Sequence, residues 1–384
     1  MCQTVFDVRL QLPCEEFLWN ASTPTEWVNK LLEGAQEGLG FLETLKAFLD
    51  CRRELPTLSP LSLVLVLQGL TSIGLDLQRR SSSSPQIGGG HPHHQQHHHH
   101  PHPHQPHQAH LHHYNHHSDT LAKQARITTA LHNWRGQLDS LIPQVLLQSW
   151  YQKVLLMYHM AHIALHTNRQ DLLVAAGDRR FYRRNNSNDF YRAKRELQQW
   201  VSIPSAQLAT WHAVQILLRY LSSPQGYHQD LYVSWSTYLA TLVCFTYGNT
   251  SPLSISPSPD NNSISNANNS NGSNTNMVVV GGSGGGGRGG QGGQGQGQSD
   301  PSAEEDSQEG VGPVPVVWDL EQDMRAYLQV MNTDTWESLG RVRRAQKRRT
   351  QGLLAVVRNN MKLTRWGLVQ EGLEILKRLG SKCG

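Results

Sequence analysis

Three histidines, His159, His162 and His166, stand at i, i+3 and i+7 in the run YHMAHIALHTN (158–168). On a helix that spacing sets them on one face, and three imidazoles on one face could in principle hold a divalent metal. The residues between them are Met, Ala, Ile and Leu, ordinary formers of an apolar core, and no acidic general base of the HExxH kind accompanies them. Histidines satisfied within a core are therefore the favoured reading. A metal protein or α-helical enzyme built on His159, His162 and His166 is the alternative. His212, alone beside Trp211, takes the same structural reading.

A second concentration of chemistry is the basic run RVRRAQKRR, in which Arg341, Arg343, Arg344, Lys347, Arg348 and Arg349 place six charges in nine residues. The whole chain carries 34 basic and 30 acidic side chains, so without this run the balance turns slightly negative. Such a chain offers no broad basic face for nucleic acid, and any attraction to anions is local. The run can be a solvated helical face, with Arg341, Arg344 and Arg348 on one side; it can be a nuclear-import address; or it can contact phosphate without reading sequence. No GxSxG, no cysteine with a base beside it and no distinguishable carboxylate pair is present, so no catalytic residue is nominated and no enzyme is expected. Cys2, Cys14, Cys51, Cys244 and Cys383 lie far apart with no CxxC pair. That spacing excludes a zinc finger within these residues and argues against a secreted disulfide scaffold. No signal peptide is visible in MCQTVFDVRLQLPCEEF.

Two tracts cannot be core. Residues 81–117 hold fifteen of the 21 histidines, mixed with Pro and Gln, and only four apolar side chains, too few to offset the entropy of ordering them. Residues 249–313 run from Ser/Pro/Asn-rich through GGSGGGGRGGQGGQGQGQ to an acidic patch of Asp300, Glu304, Glu305, Asp306 and Glu309. Their glycines lack the strand–helix context of a phosphate loop. Both tracts are expected to be disordered linkers, the second with some capacity for recruitment.

What remains must position any site, and it has the pattern of successive helices. Thr23-Pro24-Thr25-Glu26 is a capping-box start ahead of Trp27, Leu31 and Ala35. Ser59-Pro60 opens LSLVLVLQGLTSIGL, which is apolar enough to raise a membrane question. It is short, contains Gln68 and two glycines, and ends in Arg79-Arg80, so a buried core helix is expected. Pro143 is expected to open a helix through Leu165. Further helices are predicted over 187–200, 205–221, 230–247 and 364–379, the last capped by Thr364 and terminated at a left-handed Gly380. FDVRLQL (6–12) is the one stretch with some β alternation. The predicted fold class is all-α: a multi-helix domain in three parts, 1–80, 118–248 and 314–384, interrupted by two disordered low-complexity tracts.

Five passages in order carry a family resemblance: FDVRLQLPCEEFLWNASTPTEW (6–27), YHMAHIALHTNRQDLLVAAG (158–177), TWHAVQILLRYL (210–221), STYLATLVCFTYG (236–248) and TRWGLVQEGLEILKRLG (364–380). Together they resemble the fungal-specific transcription factor regulatory domain, also called the xylanolytic activator regulatory domain, and most of all its subgroup with C2H2 zinc fingers upstream. The resemblance implies a nuclear, non-enzymatic regulator of RNA polymerase II transcription. Its partners would be co-regulators or a small-molecule effector, with homodimerisation possible and no membrane. It also implies that DNA binding and zinc belong to a module absent here, the chain being the C-terminal part of such a protein and itself carrying no cofactor.

Overall fold

The computed structural model describes residues 5–14, 16–33, 39–83, 108–141, 148–180, 187–221, 230–252, 319–343 and 350–382. All lie in one compact unit made of Met1–Leu253 and Asp319–Gly384. Among the described residues the architecture is all-helical, as the apolar periodicity predicts. The 6–12 alternation yields a short 3-10 turn, Val5–Asp7, and an isolated antiparallel bridge between Gln11 and Gly40. Most of both low-complexity tracts lies outside the described residues.

Helices α1 (Glu16–Trp19) and α2 (Pro24–Leu32) form an N-terminal arm. The capping box is present: the Glu26 backbone N–H donates to Thr23 Oγ1 at 3.1 Å, and the Ser22 N–H donates to Glu26 Oε2 at 2.8 Å. No residue of α2 is buried, so Trp27, Val28, Leu31 and Leu32 keep an apolar face open to solvent.

The first core gathers α3 (Phe41–Leu49), α4 (Pro60–Ser83), α5 (Gln108–Ser140) and one face of α6 (Gln148–His166). Ser59 caps α4 through Ser62 N–H. Residues 60–80 are long and apolar enough to span a bilayer. Their Leu63, Val66, Leu67 and Leu70 are instead buried against Phe41, Leu45, Phe48, Leu131 and Trp134. Each such side chain contributes about 1.5–3 kcal/mol of burial. Trp134 Nε1–H donates to Leu63 O at 2.8 Å, which satisfies the one polar atom the indole brings inside. Helix α5 begins at Gln108, inside the segment expected to be linker. The sequence after Pro106 has no further Pro or Gly until Gly136, so nothing local breaks the helix there.

The second core takes the other face of α6 with α7 (Arg169–Ala176), α8 (Ser187–Trp200), α9 (Pro204–Leu221), α10 (Leu231–Asn249), α11 (Leu320–Met331), α12 (Leu339–Val342), α13 (Thr350–Met361) and α14 (Gly367–Lys382). Asn168, Asp230 and Asp319 cap α7, α10 and α11, and Gly177, at φ 82°, ends α7 in the left-handed region. Two expected caps are not used. Thr364 is buried and its hydroxyl donates to Met361 O of the preceding helix, so α14 starts three residues later; and α14 runs through Gly380 to Lys382. Tertiary burial of Thr364 outweighs its intrinsic preference for a cap. Pro143 lies outside the described residues.

Helices α11 and α13 cross so closely that a Cβ on Gly352 would sit 2.5 Å from Leu320 O and 2.6 Å from Asp323 Oδ2. Gly352→Ala is expected to cost roughly 1–3 kcal/mol through forced separation of the helices. Gly136→Ala, open on α5 with nothing within 4 Å, should gain about 0.5–1 kcal/mol. Thermal unfolding of the two variants against the parent checks both signs.

Candidate functional site

The three α6 histidines share a face, and that face meets α9 and α5. His159 is 2% exposed, His162 0% and His166 6%; His212, from α9, is 2% exposed. Local sequence explains the arrangement: Tyr158, Ala161 and Leu165 draw α6 into the first core, while Ala209, Ala213 and Val214 draw α9 into the second. The His162 and His212 rings stack in parallel, 3.9 Å between centroids and 7° between planes. His159 and His212 share a hydrogen bond between their Nδ1 atoms at 2.8 Å, one ring donating and the other accepting. His166 meets the Gln124 amide through Nδ1 at 2.9 Å and the Thr128 hydroxyl through Nε2 at 3.2 Å. His132, exposed on α5, lies 5.4 Å from His162. Tyr158 closes one side, with its ring edge-on to His162 at 4.7 Å. The result is a ladder of five imidazoles crossing α6 from α5 to α9.

Burial sets the protonation of these rings. Desolvation holds His159, His162 and His212 well below the usual imidazole range, with Arg219 adding to the effect at His159 and His212. It brings His166 down to about 4 and pushes the Tyr158 hydroxyl up to about 12. All four buried rings are therefore neutral at neutral pH.

Neutral imidazole is the form that binds metals, yet the geometry is not that of a ligand cage. Two parallel rings 3.9 Å apart cannot both aim in-plane lone pairs at one ion, His159 and His212 bond to each other, and both His166 nitrogens have partners. Among the described residues no group of His, Cys, Asp or Glu is placed to hold a metal ion. The structure thus brings together the three predicted histidines, adds His212 and His132 to them, and does not favour the metal or enzyme alternative.

The basic run divides. Arg341 is exposed, and Arg344, Lys347, Arg348 and Arg349 lie outside the described residues. Arg343 is half-buried and its guanidinium donates to three carbonyls: Nε to Tyr247 O at 2.9 Å, Nη1 to Val201 O at 2.7 Å and Nη2 to Thr250 O at 2.6 Å. It also lies over the Tyr247 ring, 4.9 Å from its centroid. Carbonyls at a helix C-terminus have no intrahelical donors and carry the negative end of the helix dipole, so a guanidinium suits this place at the end of α10. The sequence gives no sign that this arginine differs from its five neighbours.

No family model and no solved structure matches the chain. The zinc finger protein klf1 of Schizosaccharomyces pombe is 25% identical over 262 residues, covering 64% of this chain and 29% of that protein. The nicotinate catabolism cluster-specific transcription factor of Emericella nidulans is 24% identical over 273 residues, covering 64% of this chain and 28% of its own length. The likeness is to a fungal zinc finger protein and a fungal transcription factor. Neither relative is described as an enzyme. The matched region spans less than a third of each relative.

Replacing Arg343 by Met should leave three carbonyls without their donor and destabilise the second core by about 3 kcal/mol, whereas Arg341→Ala should change stability by less than about 0.5 kcal/mol. Urea unfolding of both variants measures the difference.

Proposed function

We propose that the chain is an effector- or partner-responsive regulatory module of a fungal transcription factor that acts on RNA polymerase II transcription in the nucleus. The observation that carries this reading is the likeness, over 64% of the chain, to a fungal zinc finger protein and a fungal transcription factor. The all-helical fold is compatible with the regulatory domain that the five sequence passages resemble. In this reading the helices bind proteins or a small effector rather than DNA. DNA contact and zinc belong to a module of the C2H2 kind, which these 384 residues cannot supply because their five cysteines are scattered. A second copy of the chain is a further candidate partner.

The basic run fits this function as an import address carried by Arg341, Arg344, Lys347, Arg348 and Arg349. Arg343 is left out because its guanidinium is held by the fold. An import receptor needs accessible cations, and Arg343 cannot be offered without undoing the end of α10.

Two measurements test the proposal. Tethered to a heterologous DNA-binding domain in a fungal host, residues 1–384 should change reporter transcription at least several-fold in one direction; an unchanged reporter would sink the regulatory reading. Changing the five import residues to Ala while keeping Arg343 should lower nuclear accumulation without lowering the unfolding midpoint. Undiminished accumulation would remove the import role.

A further inference from the structure

The imidazole ladder has a property that neither core packing nor metal binding explains. Both ring nitrogens of His162, and Nε2 of His159, are buried without a hydrogen-bond partner among the described residues. A neutral imidazole always carries one N–H, so His162 keeps an unsatisfied donor and an unsatisfied acceptor in the interior. An apolar ring of similar shape would fill the place without that penalty. The position is also special in the fold, because α6 is the wall shared by the two cores. Its Tyr158, Ala161 and Leu165 belong to the first, and its Leu156 and Ile163 to the second. The ladder crosses this wall.

The groups facing the ladder are cationic, aromatic or neutral. From α5 come His132, the amide of Gln124, and Arg135, whose guanidinium lies 5.7 Å from the Tyr158 ring centre. From α6 itself comes Tyr158, and from α9 come Trp211 and Arg219. The carboxylates on the helices packed around α6 pair elsewhere: Asp76 with Arg79 on α4, Asp119 with Lys123 and Asp139 with Arg135 on α5, and Asp230, ahead of α10, with Lys153. Among the described residues no carboxylate lies within ion-pair distance of any of the five imidazoles. A proton entering the ladder therefore finds no carboxylate partner there; it meets low dielectric and the charge of Arg219, while Arg135 is paired with Asp139.

We propose that the ladder is an acid-operated lock: it holds the α6–α9 seam shut while its rings are neutral, and protonation of His162 or His212 opens the seam and uncouples the two cores. The sign follows from linkage. The folded rings take up protons less readily than free imidazole, so their contribution is complete above about pH 6.5, the ordinary imidazole value, and is lost as the pH falls below it. Each buried ring can lower the folded-to-open ratio by up to about tenfold per pH unit in that window. The opening is local because the α11–α13 packing contains no ladder histidine. This inference stands apart from the transcriptional reading.

Hydrogen–deuterium exchange of the full chain at pH 7.0 and 5.5, corrected for the intrinsic rate, tests it. The expected result is loss of protection in peptides from α6 and α9 at pH 5.5, with peptides from α11 and α13 unchanged. Uniform loss across all helices, or no loss in α6 and α9, would overturn the lock. His162→Phe, which leaves His212 able to take a proton, should lose less protection in α6 and α9 at pH 5.5 than the parent and raise the unfolding midpoint at pH 7.0. His162→Leu, slightly smaller, serves as the second variant if the Phe ring does not fit. If a folded variant opens at acid pH as the parent does, the lock is not at His162.

Discussion

Helix α6 must be dry on both sides, and the rest of the molecule is arranged to make it so. Nineteen residues long, it turns Val154, Leu155, Tyr158, Ala161 and Leu165 toward α3–α5 and Leu156 and Ile163 toward α9 and the C-terminal helices. A helix with apolar residues on one stripe needs one neighbouring layer; one that is apolar almost all round needs two. The two cores share this wall, and neither is closed without it. The cost of the arrangement is that a polar residue on either packed face of α6 is driven inside, although Lys153, off those faces, stays exposed. Three of its histidines are driven inside: His162 stacks on His212, His159 shares a hydrogen bond with His212, and His166 bonds to Gln124 and Thr128.

How much of this was legible beforehand depended on whether the signal was local. Thr23 ahead of Pro24 and Ser59 ahead of Pro60 are capping arrangements within four residues of chain, and both act where the sequence places them. The helix over 187–200 also has the bounds its amphipathic pattern suggests. Thr364 and Gly380 carry equally good local signals and fail, because Thr364 is captured by Met361 O and the last helix continues past the glycine. Helix α3, nine residues long, is too short to be stable alone and is made by Phe41, Leu45 and Phe48 reaching the core. Helix α5 has core residues Ile127, Leu131, Trp134 and Leu138 at good helical spacing, but they follow a histidine-rich tract that hides where the helix begins.

The candidate sites show the same division. The common face of His159, His162 and His166 follows from helical spacing. The addition of His212 and His132 does not, since it depends on how α9 and α5 cross α6. Residue type suggested metal chemistry, and ring geometry excludes a shared ion between His162 and His212. In the basic run, composition makes six equivalent cations, whereas the fold sets three carbonyls around Arg343 and leaves Arg341 exposed. Charge clusters read from sequence can thus contain structural members, and counting them overstates what a partner can reach.

The second core is discontinuous in the chain: α9 and α10 lie before Pro252, and the helices that complete it lie after Asp319. The entropy of closing that connection grows only with the logarithm of its length, about 0.6 kcal/mol for each doubling, so the intervening sequence is free to lengthen or drift in composition at little thermodynamic cost. Timing is less forgiving. At roughly 5–20 residues per second, a ribosome that has finished α10 needs on the order of ten seconds or more to deliver α14. For much of that interval α10 lacks α13 and α14, which pack on it in the finished fold. The connection that can lengthen at so little thermodynamic cost therefore leaves part of the apolar surface of α10 uncovered while the chain is being made.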